Sequence, residues 1–89
     1  MKAITMKAIT TKYHGPTNVR GSRISATDED RNRVSLSYDD GLNSEENHDA
    51  AAIALCVKMK WTNHQLMRGH QKSGNVYVFV SPDALVTVL

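Results

Sequence analysis

Four histidines, a single cysteine and nine acidic residues are the side chains of this chain best suited to chemistry. His14, His48, His64 and His70 invite a metal reading, since imidazole is a common zinc ligand. Their spacing fits no HExxH pattern, and Cys56 alone cannot supply a Cys-x-x-Cys pair. His64 and His70 would meet His14 only through a particular pairing of strands. Neither a metal nor any cofactor is expected. A hydrolase needs a nucleophile, a base and an oxyanion site. Ser, His and Asp are present, but no Gly-x-Ser-x-Gly stretch occurs. Asp39-Asp40 and Glu45-Glu46 lead into a helix, where carboxylates cap and solubilise. Gly15 and Gly21 precede no strong helix, so no phosphate-binding loop is formed. These observations predict a protein that is not an enzyme and has no catalytic residues.

Charge is more informative. The net charge of +2 argues neither for nor against nucleic acid. Its distribution is uneven. Lys2, Lys7, Lys12, Arg20 and Arg23 occupy residues 1–23 without an acid. Residues 24–49 hold eight of the nine acids and only Arg31 and Arg33 as bases. This segregation excludes an overall acidic DNA mimic. Lys7, Lys12, Arg20 and Arg23, with Tyr13 and His14, make a basic and partly aromatic segment, whose phosphate contacts would be salt-dependent. The candidate partner-binding residues are Lys12, Tyr13, Arg20, Arg23, Arg31 and Arg33.

These residues must be positioned by a small domain. Residues 1–5 and 6–10 repeat Met-Lys-Ala-Ile-Thr. A shift of five puts Ile4 and Ile9 on opposite faces of one strand. Residues 1–5 are therefore expected to be a dispensable extension, disordered rather than part of the domain, and residues 6–89 a single α+β domain. Strands are predicted at Lys7–His14, Arg23–Thr27 and Arg33–Tyr38. Ile9, Thr11 and Tyr13 share one face of the first; Thr10, Lys12 and His14 share the other. Ile24 and Ala26 point inward on the second, and Val34, Leu36 and Tyr38 share a face of the third. A fourth strand is expected at His64–His70 and a fifth at Val76–Val80. The fifth is apolar on both faces, which suggests a central position. Ser81-Pro82-Asp83 is suited to starting a short helix, and Val86, Val88 and Leu89 to an edge strand.

A helix from Ser44 to Lys60 separates the third and fourth strands. Asn43 or Ser44 caps it, Glu45, Glu46 and Asp49 suit its N-terminal dipole, and Lys58 and Lys60 suit the other pole. The expected architecture is an antiparallel sheet of four to five strands, in chain order βββαββ, with one long helix across one face. The helix has two apolar sides. Ala51, Ala52, Leu55 and Met59 cluster on one, with Cys56 at its edge as a buried thiol. Ala50, Ile53, Ala54, Val57 and Trp61 cluster roughly opposite. Ile53, Val57 and Trp61 are thus a second candidate interface. Self-coverage by residues 84–89 is the favoured expectation, with a homodimer contact or a docked partner as the alternatives.

The runs Thr17-Asn18-Val19-Arg20-Gly21-Ser22-Arg23-Ile24 and Leu42-Asn43-Ser44-Glu45-Glu46-Asn47-His48 resemble a family of short proteins encoded by bacteriophages and bacterial mobile elements. The likeness covers most of residues 6–80 and carries no catalytic assignment. The layout, a strand hairpin and an Ala- and Met-containing helix ending at Trp61 before further strands, is similar to some small anti-CRISPR proteins. The stretch Asn47–Lys60 is loosely similar to the last helix of double-stranded-RNA-binding domains, without their first helix or their Lys-Lys-x-x-Ala-Lys opening. The resemblance implies a non-enzymatic phage or mobile-element protein that binds and inhibits a host protein or ribonucleoprotein, such as a CRISPR-Cas or other defence complex. A nucleic-acid-binding module using the basic N-terminal segment is the alternative. No run of about 18 apolar residues and no long apolar signal core is present. The expected location is the cytoplasm of a bacterial host cell, without a membrane partner.

Overall fold

The computed structural model describes residues 7–81 and 86–89. Three strands, β1 (Ala8–His14), β2 (Arg23–Thr27) and β3 (Arg33–Ser37), precede the helix α1 (Ser44–Lys58); β4 (Leu66–Gln71) and β5 (Gly74–Phe79) follow it. All pairings are antiparallel, and the strands lie side by side in the order β3-β2-β1-β5-β4. The domain is α+β, as the alternation in the sequence implied. No helix among the described residues is long and apolar enough to cross a membrane.

The helix begins where its sequence provides a cap. Asn43 Oδ1 accepts from the Glu46 backbone N–H at 2.8 Å, and the Glu46 carboxylate accepts from Asn43 N–H at 3.0 Å. This reciprocal pair satisfies two otherwise unpaired donors. Asn47, buried one turn inside, accepts from Asp39 N–H and donates to the carbonyls of Asp39, Leu42 and Asn43. It ties the β3–α1 loop to the helix. The helix ends earlier than the Ser44–Lys60 expectation. Lys60 adopts a left-handed backbone (φ 62°), its N–H bonds to Val57 O, and Trp61 N–H bonds to Cys56 O at 2.8 Å. This reversal takes over the last carbonyls and turns Trp61 back onto the core.

The first helix cluster is the one buried. Ala51, Ala52, Leu55 and Cys56 pack with Ile9, Ile24, Ala26, Tyr77 and Phe79, and Met59 and Trp61 close the edge. Burial raises the pKa of the Cys56 thiol, which fits a side chain that packs as a small apolar group. Gly74 lets the β4–β5 turn pass close to β1: a Cβ there would lie 1.9 Å from Thr11 O.

Several expectations change. The fourth strand starts at Leu66, so His64 lies outside it and instead meets Phe79 edge-on at 5.4 Å between centroids. β5 has a partner on each side but is covered on one face only. Tyr77 and Phe79 are buried under the helix side, while Val78 and Val80 stay exposed on the other. Two apolar strand faces therefore do not mean two covering layers. Val86–Leu89 form no strand and are exposed. Residues 1–5 and the proposed helix start at Pro82-Asp83 lie outside the described residues.

Candidate nucleic-acid interface

Strand register decides which basic residues meet. Thr10 opposes Thr27, Lys12 opposes Ser25 and His14 opposes Arg23 across β1–β2. Arg23 opposes Ser37, Ser25 opposes Ser35 and Thr27 opposes Arg33 across β2–β3. Because alternate residues share a face, all of these side chains lie on the face turned away from α1. Lys12, Arg23 and Arg33 thus share one open surface with His14 and a set of Ser and Thr hydroxyls. His14 Nε2 is hydrogen-bonded to Ser25 Oγ at 2.8 Å, and Ser25 is buried beneath its neighbours. The basicity of His14 is lowered, first by desolvation and then by the positive charges of Arg33, Arg23 and Lys12.

No acid offsets this cluster within ion-pair distance among the described residues. The ion pairs there are Lys7 with Asp30, Arg68 with Asp49 and Glu45, and His70 with Glu45. Arg23 Nε is shielded from solvent and has no hydrogen-bond partner among the described residues. An uncompensated group of cations on an exposed surface favours anionic partners and costs little desolvation when it meets them.

The predicted binding set is therefore divided. Lys12, Arg23 and Arg33 come together. Tyr13 lies on the opposite face, where its ring meets Tyr38 edge-on at 5.2 Å and its hydroxyl pairs with Ser22 Oγ at 3.0 Å. Lys7 also belongs to that side, beside Asp30 and 5.9 Å from the Trp61 ring centroid. Arg20 sits in the β1–β2 loop, where its N–H donates to Thr17 Oγ1 at 3.0 Å. Arg31 is in the β2–β3 turn with φ 68°. Neither is among the cations that depress His14. His14, which alternation along the first strand sets on the same face as Lys12, joins these cations although it was not in the predicted binding set.

The helix side carries a second polar group that the sequence did not suggest. His48 Nδ1 and Thr11 Oγ1 are hydrogen-bonded at 2.7 Å. Asn75 Nδ2 donates to Glu45 at 2.9 Å, and His70 Nδ1 is hydrogen-bonded to Asn75 Oδ1 at 3.1 Å. The Tyr77 hydroxyl and Arg68 both donate to Asp49, at 2.5 and 2.7 Å. Desolvation, together with the neighbouring Asp49 charge, pushes the Tyr77 phenol well above its ordinary pKa. Thr11 is fully buried. These groups are engaged with one another and join the first turns of α1 to β1, β4 and β5. Among the described residues, no group of three or more His, Cys, Asp or Glu side chains is placed to hold a metal ion. His14, on the open face, does not meet His70 on the helix side.

The second helix cluster lines a groove. α1 lies over β1, β2 and β3, and the space between it and β4 is open, with a volume of about 410 Å³. Ile53, Val57, Trp61, Leu66 and Phe79 form its apolar part and Asp49, Arg68 and Tyr77 its polar end. Ile53 and Val57 are 57% and 62% exposed. The expectation of self-coverage fails for the described tail, because Val86 and Val88 are 90% and 93% exposed and do not lie on this groove. The helix crosses the sheet toward β3, which leaves its second face unroofed.

No protein-family model, curated protein or solved structure matches this chain.

Proposed function

We propose that this protein is a non-enzymatic binding module that contacts the phosphate backbone of nucleic acid through the open face of its sheet. One observation carries this reading: Lys12, Arg23 and Arg33 share a single exposed face with His14, with no carboxylate in ion-pair range among the described residues. The β1–β3 part of this face is rich in cations and in Ser and Thr hydroxyls, both phosphate donors. The aromatic rings of Tyr13, Trp61, Tyr77 and Phe79 lie on the helix side. Backbone contact is therefore favoured over base stacking, which requires exposed rings. The sequence resemblance to phage and mobile-element proteins suggests a setting, the nucleic-acid component of a host ribonucleoprotein such as a defence complex.

The test is a titration of a short labelled DNA duplex at several salt concentrations, read by fluorescence anisotropy. If each of the three cations neutralises one phosphate, log K should fall with log salt at a slope of about −2.7. Affinity then drops about 40-fold between about 50 and about 200 mM salt. Binding that ignores salt, or no binding at low salt, would refute the proposal.

A further inference from the structure

The groove between α1 and β4 and the C-terminal segment are both unsatisfied in the single chain. The groove is walled by Ile53, Val57, Trp61, Leu66 and Phe79, and its helix wall is more than half exposed. Val86, Val88 and Leu89 stand almost wholly in solvent. Large aliphatic side chains are seldom left together in water without a partner surface. The segment also leaves the sheet beside the groove. Val80 N–H donates to Gln65 O at 2.9 Å, immediately before Leu66 on the groove wall. From Val80 to Val86 the chain reaches about 20 Å at most. That is enough to cross a close contact between two molecules.

We propose that the groove receives residues 86–89 of a second copy of this chain. In the single chain these residues do not lie on their own groove, so the partner molecule is the source of the matching apolar segment. If two molecules exchange segments, each groove is filled by the other's tail, and the contact closes as a symmetric pair. The open basic face lies on the other side of the sheet and is left free by this arrangement. The inference does not depend on the proposed nucleic-acid binding.

Two charge substitutions and their mixture test it. Val57→Glu spoils the groove and leaves the tail intact; Val88→Glu spoils the tail and leaves the groove intact. Both positions are exposed in the single chain, and circular dichroism confirms that each variant is folded. Sedimentation over a range of concentrations should give the parent twice its monomer mass of 9.9 kDa at the high end. Each variant alone should be monomeric. An equimolar mixture should recover a heterodimer, because one intact tail then meets one intact groove. A parent that is monomeric throughout would overturn the proposal, as it would if the tail covers its own groove. A Val88→Glu variant that still dimerises would overturn it in favour of direct helix-to-helix contact. A mixture that stays monomeric would also overturn it.

Discussion

The two faces of the sheet treat charge in opposite ways. On the helix side, Arg68 lies between Asp49 and Glu45, His70 lies beside Glu45, and the Tyr77 hydroxyl is held by Asp49. On the open side, Lys12, Arg23 and Arg33 share a face with His14 and lower its basicity, without a carboxylate in ion-pair range among the described residues. Both arrangements come from the same strands, with alternate residues of β1 supplying Thr11 to one face and Lys12 to the other. Paired charges hold elements together at little net electrostatic cost. A group of like charges is mildly unfavourable to the fold and gives up that strain when an anion arrives. The paired charges of the helix side thus serve stability, and the open side is the one we propose for nucleic-acid binding.

The comparison breaks most severely at the centre of the buried side. Leu55→Ala should cost about 2–5 kcal/mol, the usual cost of removing a buried leucine. That is a large share of what so small a domain can have. A chemical-denaturation midpoint equal to the parent's would show that α1 does not pack through this face. Next is Gly74→Ala, whose Cβ would meet the Thr11 carbonyl. Forcing β5 away from β1 should cost about 1–3 kcal/mol and loosen the Asn75–Glu45 link. An unaffected melting temperature would mean that the β4–β5 turn does not press on β1.

Acid should separate the faces more gently. His48 is buried, which lowers its basicity by desolvation, although Glu45 and Asp49 act the other way. The unfolded chain therefore binds a proton more readily than the folded one. Stability from this site is present above about pH 6.5 and is lost as pH falls below that value toward the depressed folded pKa. A melting temperature that is flat between about pH 7 and about pH 5 would contradict this. So would a His48→Gln variant that keeps the whole of the acid loss.

On the open side a smaller effect is expected, and it appears in binding. A phosphate among Lys12, Arg23 and Arg33 offsets the charges that depress His14, so the bound protein holds a proton more readily than the free one. Duplex affinity should therefore rise modestly as pH falls through the ordinary histidine range. His14→Gln should remove that rise while keeping most of the affinity. A pH dependence unchanged in that variant would exclude His14 from the contact.

Much of this was legible in the sequence, for identifiable reasons. β2 was readable to the residue because Ile24 and Ala26 alternate with polar neighbours; β3 was readable from Val34 and Leu36, though it ends at Ser37 and not at the expected Tyr38. The start of α1 was readable because Asn43 and Glu46 are spaced as a reciprocal cap. Its end was not, because Lys60 adopts a left-handed conformation usually signalled by glycine. Alternation had already placed Tyr13 opposite Lys12, so uniting them in one binding set conflicted with the strand pattern itself. Arg33 could join Lys12 only through two registers, β1–β2 and β2–β3, which no local pattern encodes. The Thr11–His48 and Asn75–Glu45 pairs were hidden for the same reason, since they join positions 37 and 30 residues apart. Which helix face stays open depends on the angle at which α1 crosses the sheet, and composition does not fix that angle.

The division of labour between the faces is tested most directly by comparing Arg23→Gln/Arg33→Gln with Arg68→Gln, measuring duplex affinity against salt and thermal stability for each. The open-face double variant should melt close to the parent, while its salt slope becomes shallower by about 2. Arg68→Gln should keep the parent's slope and melt lower, because Asp49 and Glu45 lose their cation. A double variant that binds with the parent's affinity and slope would contradict the account, as would an Arg68→Gln variant that loses binding while retaining full stability.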